Sequence, residues 1–256
     1  MDFQAITLEI EDGIATLTLA RAEVKNALNV QMRAEIPAAI RIAQENARVL
    51  VMTGAGDSFC SGQDLGDGAA ALDIERVLRD EYTPMLRAIF DCPIPTIAAV
   101  NGAAAGAGAN LALAADVVIA SERAVFLQAF SRIGLIPDAG GTYWLPRQVG
   151  FAKAMGAALF AEPVSARQAE AWGMIWEAVP DDAFAGHIAA RASALANGPT
   201  VAYAHTKQAL RASFGNDLEQ QLALEAQLQG QCGQTRDFSE GVLAFLEKRR
   251  PAYEGR

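Results

Sequence analysis

Apolar and polar residues alternate through positions 6–19 (ITLEIEDGIATLTL), on both sides of Asp12-Gly13. A two-residue period interrupted by a turn-forming dipeptide predicts a β-hairpin. The period then lengthens. Between Ala27 and Glu45, Leu28, Met32, Ile36, Ile40 and Ile42 fall at helical spacing, and Asn26 is placed to cap the helix start. Val49–Met52 is an unbroken apolar run that predicts a short buried strand, stopped by Thr53-Gly54-Ala55-Gly56. A helix is expected from about Asp73 to Phe90, and further buried strands at Pro95–Val100 and Val117–Ala120.

Strands alternating with helices predict an α/β fold of stacked strand–helix units in the first half. Beyond Gly140 the spacing is helical almost to the end, over Tyr143–Leu159, Ser165–Trp172, Ala183–Asn197, Val201–Ser213 and Asn216–Gln229. A composition shift near residue 195 divides a core, 1–195, from a C-terminal helical region, 196–256.

Composition narrows the range of functions. The 256 residues are 52% hydrophobic and 20% charged, enough for a large core and without a tract polar enough for disorder. The net charge of −9 argues against nucleic-acid binding, which needs clustered Lys and Arg. An anionic ligand must therefore find local cations. Cys60, Cys92 and Cys232 have neither CxxC spacing nor His neighbours, which predicts no metal site and fits a reducing compartment. No basic segment leads into an apolar one at the start of the sequence. The most apolar stretch, Pro93 to Ile119, is broken by Asn101, Asn110, Asp116 and several glycines, against a membrane span. A cytoplasmic protein is expected.

Three segments carry candidate chemistry. In Phe59-Cys60-Ser61-Gly62-Gln63-Asp64-Leu65, Gly62 permits a backbone conformation that exposes the Gln63 amide; a plain surface loop is the alternative. In Val100–Leu111 (VNGAAAGAGANL) a buried strand runs through small residues into a helix, whose free N–H groups can stabilise an oxyanion. The same glycines would also suit tight packing of helix on sheet. In Gly134–Thr142 (GLIPDAGGT), Asp138 is either a helix N-cap or a base whose pKa apolar surroundings raise.

Together these segments resemble the crotonase (enoyl-CoA hydratase/isomerase) superfamily, in order and at matching separations. The similarity extends to Arg21–Leu28 (RAEVKNAL), Ile133–Gly150 (IGLIPDAGGTYWLPRQVG), Ala166–Gly173 (ARQAEAWG) and Phe238–Lys248 (FSEGVLAFLEK). It implies a spiral of β–β–α turns followed by a helical trimerisation region, and hence a homotrimer or a hexamer built as a dimer of trimers. It also implies an acyl-CoA thioester substrate, with coenzyme A part of that substrate and no separate cofactor. Position by position, the N–H groups of Gln63 and Ala107 would hold the thioester oxygen. The family usually has glycine at the second position, but alanine still donates its N–H. Val24, Lys25, Asp64 and Leu65 would border the CoA adenine and phosphates. Phe245 and Lys248 match a segment that reaches CoA in a neighbouring subunit.

Hydratases of the family use two glutamates to activate and deliver water. Asn110 and Phe130 stand at those positions here, and neither can act as acid or base. Asp138 matches a position used in the isomerase and dehalogenase branches. The resemblance therefore implies a proton shuttle that migrates a double bond. GLIPDAGGTYWLPR through AWGMIW is most similar to the branch that rearranges 1,2-epoxyphenylacetyl-CoA to an oxepin. Asn110 either hydrogen-bonds substrate or satisfies buried backbone. Two alternatives stay open: a hydratase with a second acid such as Glu81 facing the pocket, and a non-catalytic acyl-CoA-binding relative. The acyl wall is expected within Gly66–Leu86. His187, His205, Trp144, Trp172 and Trp176 read as surface, packing or interface residues, and Cys60 as a small buried hydrophobe.

Overall fold

The computed structural model describes residues 2–66 and 73–256, so part of the expected acyl wall, 67–72, lies outside the described residues. The hairpin forms where the alternation places it: β1 (Ile6–Glu11) and β2 (Ile14–Leu19) pair antiparallel around Asp12 and Gly13, both at positive φ. Next come α1 (Val30–Asn46), β3 (Val49–Gly54) and β4 (Ser58–Cys60). α2 (Ile74–Val77), capped by Asp73, runs through a π-type turn at Leu78–Tyr82 into α3 (Thr83–Phe90). The chain continues through β5 (Thr96–Val100), β6 (Ala103–Ala105), α4 (Ala107–Leu113), β7 (Val117–Ser121) and β8 (Val125–Leu127). A 3-10 turn at Ala129–Ile133 precedes α5 (Gly141–Phe160), β9 (Val164–Ser165), α6 (Ala166–Ala171), β10 (Glu177–Val179) and α7 (Phe184–Ala196). Three helices end the chain: α8 (Thr200–Ala212), α9 (Leu218–Cys232) and α10 (Arg236–Glu247).

Successive units place one strand in each of two sheets. The larger has the order β1-β2-β3-β5-β7-β10 and is parallel beyond the hairpin; the smaller runs β4-β6-β8-β9. This is the β–β–α spiral. The run Val49–Met52 has no polar face because both faces of its sheet are covered. Val49 and Val51 join Ile97, Ala99, Ile119 and the α7 residues Ala192 and Ala196. Leu50 and Met52 point the other way, into the large core shared with Ile36 and Ile40 of α1.

The structure departs from the sequence-based expectations in three places. Asn29, not Asn26, caps α1, its side chain accepting from the Met32 N–H at 2.9 Å. Asn26 is fully buried and braces the loops, donating to the carbonyls of Ala55 and Ser58 at 2.9 Å each. The second half is not wholly helical: β9 and β10 close the two sheets, and Gly150 (φ 74°, ψ 164°) breaks α5 into two pieces.

α8 buries no residue and meets the core through polar bonds. Lys207 Nζ lies 2.7 Å from Asp116 Oδ2 and donates to the Cys92 and Ile94 carbonyls at 2.5 and 2.8 Å. Arg211 bonds Asp116 Oδ1 at 2.6 Å and the Phe90 carbonyl. Arg48 reaches Thr200 Oγ1 and the Tyr253 carbonyl, each at 3.0 Å.

Candidate active site

Parallel pairing of β4 with β6 (Ser58↔Ala103, Cys60↔Ala104) sets the loop after Cys60 against the turn that opens α4. Contact there is close. Gly62 has φ +97°, and a Cβ on it would stand 2.7 Å from the Ala105 carbonyl oxygen and 3.4 Å from the Ala107 nitrogen. A Cβ on Gly108 would lie 2.3 Å from the Cys60 carbonyl oxygen. The small residues thus do serve tight packing of helix on sheet, and the same packing brings the two turns together.

Backbone amides nearby are spent. Leu28 N–H donates to the Gly62 carbonyl at 2.8 Å, Asp64 N–H to the Leu28 carbonyl at 3.1 Å, and Gly106 N–H to the Leu127 carbonyl at 2.7 Å. Among the described residues, the N–H groups of Gln63 and Ala107 donate to nothing. Ala107 is the first residue of α4, where helix geometry leaves the N–H over. Both residues line one cavity of about 340 Å³. Its walls come from Val77, Leu78 and Tyr82 on one side and Phe130, Ile133 and Leu135 on the other.

Asp138 also lines this cavity. The N-cap of α5 is Gly140, without a side-chain capping bond, so the carboxylate is not spent there. Oδ1 of Asp138 is enclosed and has no hydrogen-bond partner among the described residues. Burial pushes the Asp138 carboxyl up to about 6. Asp64, the other carboxylate in the lining among the described residues, is 2.8 Å from Arg21, whose hydrogen bond holds it below the usual carboxylate range. Among the described residues, the cavity thus holds two carboxylates whose environments push them in opposite directions.

The turn that aims Asp138 is held from behind. Ala139 (φ 48°) and Gly140 (φ 82°) are left-handed, and Gly141 N–H donates to the Asp138 carbonyl at 2.8 Å. Asn110 Nδ2 donates to the same carbonyl at 2.7 Å, and Gln128 Nε2 donates to Asn110 Oδ1 at 2.8 Å. Of the two readings of Asn110, these bonds fit the one in which it satisfies buried backbone. It is fully buried, lies outside the cavity lining, and satisfies backbone and Gln128 instead.

Phe130 lines the cavity, but Glu81 does not. Glu81 is bound by Arg33 at 2.7 Å and by Arg76 at 3.3 Å, so it offers the cavity no second acid. The Cys60 thiol donates to the Asn26 carbonyl at 3.1 Å, and burial pushes it up to about 12. It is inert as a nucleophile.

Val24 and Lys25 sit beside this loop: Ser61 N–H donates to the Lys25 carbonyl at 2.9 Å, and Ser61 Oγ to the Val24 carbonyl at 3.2 Å. Asp64 and Leu65 lie in the cavity lining itself. Phe245 and Lys248, on and just after α10, are not part of that lining, and Phe245 is 82% exposed. His187 pairs with Glu177 at 2.7 Å, and neither it nor His205 lines the cavity. Among the described residues, no group of three or more His, Cys, Asp or Glu could hold a metal ion. No helix among them is long and apolar enough to cross a membrane.

Sequence reasoning missed Arg33, Tyr82 and Arg132. Tyr82 and Arg132 line the cavity, and Arg33 bonds the lining residue Gln63. The available signal was Arg33 itself, a charge between Met32 and Ile36 on the apolar face of α1.

The sequence profile of the enoyl-CoA hydratase/isomerase family matches residues 9–256. A Rhodobacter capsulatus protein named "probable enoyl-CoA hydratase" is 62% identical, over 100% of both chains. The 1,2-epoxyphenylacetyl-CoA isomerase of Escherichia coli K12 is 44% identical, with 98% of each chain covered. The crystal structure of an enoyl-CoA hydratase from Polaromonas sp. JS666 is similar with a TM-score of 0.92 at 33% identity, over 98% of this chain and 100% of that one. With the spiral of β–β–α turns and the match along nearly its whole length, the chain belongs to the enoyl-CoA hydratase/isomerase family of the crotonase superfamily.

Proposed function

We propose that the protein is an acyl-CoA isomerase in which the Gln63 and Ala107 amides hold the thioester oxygen and Asp138 carries the proton. On a 3-enoyl-CoA, the Asp138 carboxylate takes a proton from C2. The electron pair moves into the thioester carbonyl, giving a dienolate whose oxygen accepts from the two amides. The same carboxyl returns the proton to C4, leaving the double bond between C2 and C3 and the base restored. Each preorganised amide lowers such a barrier by about 3 kcal/mol. A carboxyl near pH 6 is mostly ionised at neutral pH yet still basic enough to take a proton.

The observation that carries this reading is the solitary state of Asp138: of the two carboxylates that line the cavity among the described residues, Asp64 is paired with Arg21 and Asp138 has no ion pair. The name of the Rhodobacter relative favours hydration instead. Hydration needs one group to deprotonate water and another to protonate C2. Asn110 is turned away, Phe130 cannot titrate, and Glu81 is held by two arginines. Similarity to the Escherichia coli isomerase extends the proposal to 1,2-epoxyphenylacetyl-CoA and a place in phenylacetate breakdown.

Coenzyme A would lie along Val24, Lys25, Asp64 and Leu65. The exposed apolar residues Phe151, Phe160, Phe245 and Leu246 support a trimer-based assembly, in which Phe245 and Lys248 meet CoA bound to a neighbour. A cytoplasmic location completes the proposal.

The test is to assay 3-enoyl-CoA isomerisation, crotonyl-CoA hydration and epoxyphenylacetyl-CoA rearrangement with the wild type and Asp138→Asn. Isomerisation lost in the variant is expected. Robust hydration by the wild type, or full isomerisation by Asp138→Asn, overturns the assignment.

A further inference from the structure

Arg33 is nearly enclosed on the buried face of α1, with its side chain 1% exposed. Burying a guanidinium is costly, and Met or Leu would fill the same face of the helix more cheaply. Its partners explain what is gained. Nη1 donates to the Leu28 carbonyl at 2.7 Å and to Gln63 Oε1 at 3.1 Å. Nε and Nη2 donate to Glu81 Oε2 at 2.9 and 2.7 Å, and the guanidinium lies 5.3 Å from the Tyr82 ring centroid. Tyr82 O–H donates to the same Gln63 Oε1 at 2.5 Å.

These bonds surround one peptide group. Gly62, with its permissive φ of +97°, offers little resistance to rotation of the plane that carries the Gln63 N–H. That rotation is opposed from both flanks by Leu28, which donates to the Gly62 carbonyl and accepts from the Asp64 N–H. Arg33 holds the Leu28 carbonyl and the Gln63 side chain together. The far end of that side chain is fixed too, Gln63 Nε2 donating to the Asp64 carbonyl at 3.0 Å. Glu81 and Tyr82 belong to the π-type turn that walls the cavity, so the same cation ties the wall to the amide.

We propose that Arg33 is a positioning residue that, with Tyr82, grips the Gln63 side chain and so aims the Gln63 N–H at the thioester oxygen. The inference rests on the reading of that N–H as an oxyanion donor. Because either an isomerase or a hydratase must stabilise the same oxygen, it is tested on whichever thioester reaction the wild type performs.

Arg33→Lys, Tyr82→Phe, Gln63→Met (which keeps the backbone N–H) and the Tyr82→Phe/Gln63→Met double variant are compared for kcat, KM and Tm. Tyr82→Phe and Arg33→Lys are each expected to lose about tenfold in kcat, with KM changed by less than about threefold. The double variant should be no slower than Gln63→Met alone, because Tyr82 acts through that side chain. Additive losses in the double variant, kcat at the wild-type level in both single variants, or kcat losses that merely follow Tm overturn the proposal. Asp138→Asn, run alongside, separates the two readings: its full activity would strike the proton shuttle and leave the clamp standing.

Discussion

Replacing Asp138 with Asn should make the protein more stable while removing its activity. The carboxyl is raised from 3.8 to about 6 by burial alone. A group raised on folding binds more protons in the folded than in the unfolded state between those two values. Stability therefore falls as pH rises through that window, and the full cost is present above it. The difference of roughly 2.2 units, at about 1.36 kcal/mol each, amounts to about 3 kcal/mol at neutral pH. Asparagine has the same shape and does not titrate, so it escapes this cost. About 2 kcal/mol of the cost develops between pH 4.5 and 7.5 by the same linkage. In a chain of this length that corresponds to a Tm difference of about 4–8 °C. Thermal unfolding of both proteins at the two pH values measures it, and the low-pH pair absorbs any difference in shape or packing. The advantage of Asn should widen toward pH 7.5. A constant or shrinking gap would refute the claim that an unpaired, desolvated charge sits in the cavity.

Further outcomes follow from the same geometry. Because the ionised carboxylate is the base, kcat/KM for isomerisation should rise with pH to a plateau above about pH 6, and a stopped assay from pH 4.5 to 8 reads it. Ala107→Pro replaces the N–H with a ring carbon that faces the proposed oxygen site, at a helix position where proline is tolerated. It should lower kcat about 10²–10³-fold with a modest change in Tm. Asn110→Leu leaves Gln128 and the Asp138 carbonyl short of a partner, so urea unfolding should report a loss of about 2 kcal/mol, with activity reduced in the folded protein.

The fold was largely legible because its elements announce themselves locally. Alternation around Asp12-Gly13 and unbroken apolar runs such as Val49–Met52 record burial directly. β9 and β10, with two and three residues, are too short to carry a period and are defined by their sheet partners. The choice between Asn26 and Asn29 as cap depends on where the helix begins, which spacing does not resolve. At the site, the free amides and Asp138 sit on glycine-marked turns and could be found from the chain. Arg33 and Glu81 stand 48 residues apart, and Asn110 and the Asp138 carbonyl 28, so those couplings exist only in the folded protein. Asn110 was also misleading in kind: an amide looks equally suited to a ligand or to backbone, and only its enclosure decides.

The attachment of α8 has a consequence for how the protein comes apart. A helix that buries no residue completely and leans on Lys207, Arg211 and Arg48 depends on polar bonds for much of its hold on the core. Its hold is a set of bonds that water can replace one for one, unlike the enclosed strands β3 and β5. The boundary between sheet and terminal helices is thus a seam. Opening along it should therefore begin at α8, where the bonds are polar, before the enclosed strands of the β–β–α spiral give way.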